Sequence, residues 1–153
     1  MTRLIETTWF SPDLVTFMKH EADPPRLFTR NQKDVCWELA SRIPGRDPSR
    51  WRFDPVGNPV LYPQRGCKGA VCHEYDHIWP YSKGGRTSVI AENCQILQTQ
   101  VNRRKGSKTG LGIDELRGHS RRMRVGNKDM DLIEEAIYGD VKRVEYYCSS
   151  QIQ

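Results

Sequence analysis

Apolar positions recur at helical spacing in several stretches and gather in short extended runs between them. After Thr29, the side chains of Val35, Cys36, Leu39, Ala40 and Ile43 fall on one face of a helix predicted over 31–42. Thr29 is the expected N-cap, and Pro44-Gly45 the stop. Two β-type runs, Trp51-Arg52-Phe53-Asp54 and Pro59-Val60-Leu61-Tyr62, flank the turn residues Pro55-Val56-Gly57-Asn58 and predict a hairpin, with the prolines working against regular pairing. A glycine turn over 66–70 leads into a strand over 71–76 that sends Glu74 and Asp76 to one face and Tyr75 to the other. Pro80 and Gly84-Gly85 make 78–88 a loop. Gln95-Ile96-Leu97 is a second short strand, followed by a helix over 99–105 with Val101 inward and Gly106 at its end. A short helix begins at Asp114-Glu115-Leu116. A last one, over 128–138, places Met130, Ile133, Ala136 and Ile137 on one side, with Gly139 as its stop. Near the start, Ser11-Pro12-Asp13 opens a short helix that Pro24-Pro25 ends. The class predicted is α+β, with flanking helices at both ends of a two-strand-and-helix core. The organisation is one compact unit: an appendage over 1–28, a main body over 29–110 and a helical, basic extension over 111–153.

At 153 residues the chain is long enough to bury a core without disulfides. It has no run of about 18 apolar residues, so no membrane span is expected. The first residues lack a basic stretch followed by an apolar one and carry Glu6, Asp13, Glu21 and Asp23, so neither a secretory signal nor a transit peptide is expected. Five cysteines, an odd number, then suggest reduced thiols in an intracellular protein. The net charge of +5 is unevenly spread, because 101–124 carries eight cations against Asp114 and Glu115. Such a segment suits a polyanion, and a solvated surface face is the rival reading.

The stretch from Glu74 to Lys105 concentrates the chemistry. Asp76 and His77 are adjacent, Asn93 follows the Gly84-Gly85 pair, and Asn102 precedes Arg103, Arg104 and Lys105. A neutral imidazole takes a proton from water at pH 7. A carboxylate and an amide oxygen suit a hard cation such as Mg²⁺ or Mn²⁺. Arginines and lysines engage phosphates without reading bases.

Asp76-His77-Ile78-x-Pro80, Gly84-Gly85, Asn93-x-x-Ile96-Leu97 and Asn102-Arg103-x-Lys105 resemble the HNH endonuclease family over roughly 51–106. The lead-in Trp51-Arg52-x-Asp54-x-x-Gly57-Asn58 is similar to that of stand-alone plant and bacterial members. The resemblance implies a ββα-metal core and a metal-dependent nuclease that nicks DNA, with RNA also open as a substrate. Carried over, it makes His77 the general base and Asn93 a brace for the loop. Asn102 stands where the family's last histidine falls and, with Asp76, holds the divalent cation (Mg²⁺ or Mn²⁺, with Zn²⁺ and Ni²⁺ as alternatives). Arg103, Arg104, Lys105, Lys108, Arg121, Arg122 and Arg124 would follow the phosphate backbone. Many relatives carry two Cys-x-x-Cys pairs for a structural zinc. Here Cys67 and Cys72 are too widely spaced for that pattern, and Gln98 and Val101 stand at the helix positions, which disfavours a four-thiolate site. Cys67, Cys72, His73 and Cys94 are the set left for a mixed one. Two other readings are a non-cleaving nucleic-acid-binding module on the same fold and a zinc-stabilised interaction domain. Oligomeric state is not indicated.

Overall fold

A computed structural model describes residues 26–86, 93–120 and 124–145. The helix expected near Ser11, most of the expected appendage, and Arg121 and Arg122 lie outside the described residues. In chain order the elements are α1 (Arg30–Leu39), β1 (Ser41–Arg42), β2 (Trp51–Phe53), β3 (Pro59–Leu61), β4 (His73–His77), a 3₁₀ turn (Tyr81–Lys83), β5 (Cys94–Gln98), α2 (Thr99–Lys105), α3 (Ile113–Ser120) and α4 (Asn127–Tyr138). Strands β1, β2 and β3 make one antiparallel sheet, and β4 pairs antiparallel with β5. The fold is α+β.

Helix α1 starts at the expected cap. Thr29 Oγ1 accepts from the Gln32 amide at 3.3 Å, and Gln32 Oε1 accepts from the Thr29 amide at 2.8 Å, a capping box. Its end differs from expectation. The helix stops at Leu39, Ala40 is extended, and Ser41–Arg42 join β2 instead. The cause lies in Arg52, which is buried. Its Nη1 donates to the carbonyls of Glu38 (3.2 Å) and Ala40 (3.0 Å), so a side chain, rather than another helical turn, satisfies the last carbonyls. The buried face also differs. Cys36 and Trp37 point inward, while Val35 and Leu39 are exposed. Trp37 dominates because its Nε1 donates to the Pro48 carbonyl at 3.1 Å.

The β2–β3 hairpin forms as expected, with Trp51 opposite Leu61 and Phe53 opposite Pro59. It is buried on both sides. Val60 packs with Phe28, Cys36, Trp37, Cys94 and Ile96, whereas its neighbour Leu61 packs with Ile43, Trp51, Val71 and Met130. Asp54 closes its turn, accepting from the amides of Val56 (3.1 Å) and Asn58 (2.7 Å) and from Asn58 Nδ2 (3.0 Å). Phe28, counted with the appendage in the sequence, is part of this core.

Helix α4 docks through charge. Met130 is buried and Ile133 partly so, but Ala136 and Ile137, expected on the same face, are exposed. Glu134 is fully buried in their place. It accepts from Trp51 Nε1 at 2.8 Å, Arg50 Nη1 at 2.9 Å, Arg46 Nη1 at 3.3 Å and the Lys142 amide at 3.1 Å. Gly139, with φ +77°, ends the helix as expected.

The cysteines correct the expectation of reduced thiols. Cys36–Cys94 is a disulfide joining α1 to β5, and Cys67–Cys72 is another, closing the turn before β4. An odd count along the chain carries no information about which thiols the fold brings together.

His73 has no solvent exposure and packs between Trp37 and Tyr75, at ring separations of 5.2 and 5.6 Å. Burial, with Arg65 nearby, pushes it down to about 4, a weak contact with the Leu61 backbone pulling the other way. The fold therefore holds His73 neutral while the unfolded chain protonates it. That stability is complete above the unfolded value near 6.5 and is lost as pH falls from there to about 4, then levels off. The difference between those values corresponds to about 3 kcal/mol. Urea titrations between pH 4 and 7 are expected to show a shallower acid decline for His73→Leu than for wild type. Equal declines would refute this account.

Candidate active site

Helix α2 is set against β4 by three contacts. The Gln98 side chain caps it, accepting from the amides of Gln100 (2.8 Å) and Val101 (3.2 Å). The Thr99 amide donates to the Cys72 carbonyl at 3.0 Å. Asp54, already closing the hairpin turn, accepts from the Gln98 amide at 3.1 Å. With Val101 buried, Asn102 and Lys105 face β4.

Alternation along β4 then divides the chemistry. Glu74 and Asp76 turn toward α2, as expected. Glu74 accepts from Asn102 Nδ2 at 2.8 Å and from Arg103 Nη2 at 2.8 Å. Asp76, almost completely buried, meets Lys105 Nζ at 2.9 Å and accepts from Gln95 Nε2 at 2.8 Å. Lys105 also donates to the His77 carbonyl at 3.0 Å. His77 projects to the other face and stacks on Phe28, with centroids 4.3 Å apart and planes at 24°. Tyr81 lies at 5.8 Å from the same ring. Among the described residues neither His77 ring nitrogen is hydrogen-bonded, and Nε2 is buried. The Phe28 stack, rather than a hydrogen bond from a described group, holds the imidazole. Partial burial lowers the His77 pKa below its ordinary value; Asp76 opposes this, and Arg26 and Lys105 add to it.

Asn93 braces the loop in the way the sequence suggested. Its Oδ1 accepts from the Trp79 amide at 2.6 Å, and its Nδ2 donates to the carbonyls of Trp79 and Arg86, both at 3.2 Å. Gly85 is required beside it, since a Cβ there would lie 1.8 Å from the Trp79 carbonyl oxygen. Gly85→Ala is expected to cost about 1–3 kcal/mol by forcing the loop apart. A thermal melt equal to wild type would show that the loop yields freely.

One cleft of about 620 Å³ brings Glu74, Asp76, His77, Asn102 and Arg103 together, despite the strand alternation. Its remaining wall carries Arg26, Phe28, Lys33 and Arg65. Among the described residues no three histidine, cysteine or acidic side chains converge as a metal cluster. The cleft instead offers two oxygen donors. Asn102 gives its Nδ2 to Glu74, so its Oδ1 is turned elsewhere, and the Asp76 carboxylate keeps acceptor capacity beyond its partners. That donor set fits Mg²⁺ or Mn²⁺ in type and leaves most positions to water and phosphate oxygens.

The expected cation track divides. Arg103 reaches the cleft already paired with Glu74, and Arg104 donates to the His119 carbonyl at 2.8 Å. The Lys105 ammonium is buried in its pairing with Asp76, which removes it from the surface role expected of it. Lys108 is exposed outside the cleft lining, and Arg124 lines a separate groove beside Gly57 and Arg117. The four residues of the mixed zinc site do not converge. Cys94 pairs with His77 while His73 pairs with Gln98, so Cys94 lies at the far end of the ladder from Cys72 and His73. Cys67 and Cys72 are bonded to each other.

Sequence reasoning missed Phe28, Arg26, Lys33 and Arg65. The apolar residue just before the Thr29 cap was the available signal for Phe28; nothing along the chain marks Arg65. Comparison with protein-family models, characterised proteins and solved structures finds no match for this chain.

Proposed function

We propose that this chain is a metal-dependent endonuclease of the HNH type, hydrolysing DNA phosphodiester bonds, with β4, β5 and α2 as its ββα-metal core. The observation that carries the reading is a single cleft. It holds an imidazole whose pKa partial burial lowers, two oxygen donors on the facing strand and helix, and several cations. His77 accepts the proton of an attacking water, while Phe28 keeps its ring in plane. Asp76 and Asn102 would hold the divalent cation, which would supply charge neutralisation at the phosphate and help for the departing oxygen. Lys105 ties Asp76 and the His77 carbonyl to one ammonium and so fixes the end of β4. Asn93 ties Trp79 and Arg86 together in the loop after His77.

One observation favours a non-cleaving binding module on the same fold: the Asp76 carboxylate is already neutralised by Lys105. Supercoiled plasmid separates the two. Nicking with Mg²⁺ or Mn²⁺, abolished by EDTA, supports the nuclease. Salt-sensitive binding without a nicked product under any of these conditions transfers the assignment to the binding module.

A further inference from the structure

Of the cations expected to hold the substrate, Arg103, Arg104 and Lys105 are each engaged by groups of the protein itself, and further cations face the cleft. Arg26, Lys33 and Arg65 line it opposite Glu74, Asp76 and Asn102. A second depression of about 380 Å³ is lined by Arg30, Lys33, Asp34, Tyr62, Pro63 and Arg65. The two hollows share Lys33 and Arg65 and therefore adjoin. Among the described residues, no acidic side chain lies in ion-pair contact with Arg26, Arg30, Lys33 or Arg65. Asp34, which lines the second depression, accepts from the Tyr62 hydroxyl at 3.0 Å. Lys33 instead rests over the Tyr75 ring, 5.9 Å from its centroid.

Arg30 and Lys33 are three apart on α1 and so share one face of the helix. Arg26 precedes that helix, and Arg65 stands in the turn before β4. Four cations without a contact ion pair among the described residues thus run from the imidazole of His77 along α1 to Tyr62. A neutral ligand would gain nothing from such a row, whereas a chain of evenly spaced phosphates gains at each step and releases its counterions. We infer that this row, Arg26–Lys33–Arg65–Arg30, is the phosphate track of the protein. It seats the backbone of one nucleic-acid strand and leads it to His77. The inference rests on the nuclease reading and deepens it, moving the substrate contacts from the residues after the motif to residues before it.

The test uses the full chain in EDTA, so that binding is read without cleavage. The probes are a fluorescein-labelled 20-mer single-stranded DNA, the same sequence as duplex, and labelled poly-L-glutamate, titrated from 50 to 300 mM KCl. Arg26→Ala/Lys33→Ala/Arg65→Ala is compared with wild type and with Arg117→Ala/Lys128→Ala, which removes two exposed charges that do not line the cleft. Circular dichroism checks that both variants fold. Each lost phosphate contact lowers the salt slope by about 0.7 on single strands. The triple variant is therefore expected to lose about 2 in slope and at least about tenfold in DNA affinity at low salt, with the control unchanged. A triple variant with wild-type slope, while wild type binds and nicks, overturns the track and leaves the nuclease reading standing. Wild type that neither binds DNA nor nicks overturns both. Binding of polyglutamate but not DNA, with the same residue dependence, assigns the row to acidic peptides and overturns it as well.

Discussion

His77→Ala is expected to lower metal-dependent nicking by about 10²–10⁴-fold, the contribution of a positioned general base. The argument is geometric before it is electrostatic. His77 ends β4, lines the cleft, and has a ring fixed by the Phe28 stack with a buried Nε2 that no described group engages. Nε2 is closed to solvent, so the nitrogen available for a water proton is Nδ1, which is neither buried nor engaged by a described group. Because partial burial lowers its pKa, more of the imidazole is in its basic form at neutral pH than for an ordinary histidine. The acid limb of the wild-type rate is thus expected to fall below the usual histidine range, with nicking rising as pH increases through it and then levelling. DNA binding in EDTA should survive the substitution, since the cations of the cleft are untouched. A variant that nicks within tenfold of wild type would remove His77 from the mechanism, whatever became of the rest of the site.

Glu134→Ala is expected to be the most damaging change to stability, at about 3–5 kcal/mol. The carboxylate is wholly buried and receives Trp51 Nε1, two guanidinium groups and the Lys142 amide. Removing it leaves Arg46 and Arg50 buried without the carboxylate they share, while Asp131 stays beside Arg46 and Asp140 beside Arg50. It also strands an indole N–H in the core. Domains are stable by about 5–15 kcal/mol in total, so a loss of this size moves the folding midpoint far. Glu134→Gln, which keeps an acceptor and the volume, should recover part of it. Urea unfolding of the three proteins measures the effect; a loss below about 1 kcal/mol for the alanine variant would mean that the remaining partners compensate the arginines.

What was legible in the sequence follows from what local pattern encodes. The bounds of α2 came through because capping, a buried Val101 and a terminal glycine all act within nine residues. The Asn93 brace came through because an amide between a turn and a strand has few other partners. The end of α1 did not, because it depends on Arg52, thirteen residues beyond Leu39. The face of α4 did not either: a glutamate reads as solvent-facing until two arginines and a tryptophan from elsewhere are placed around it. The same limit explains the site. Asp76, His77 and Asn102 lie in the described stretch that carries the motif, and they share a cleft. The cations opposite them come from α1 and from the turn before β4, and only the tertiary fold sets Arg65 beside Lys33.

Asp54 has a consequence for how this molecule can be divided. One carboxylate closes the hairpin turn and also receives the backbone of Gln98, forty-four residues later, where α2 begins. The motif is therefore not a cassette that can be lifted out. A fragment running from the turn before β4 to the end of α2 would contain Asp76, His77, Asn93 and Asn102 and yet lack the group that orients its helix. The smallest transplantable unit begins no later than Phe28, and a graft that respected the motif alone would carry its letters without its geometry.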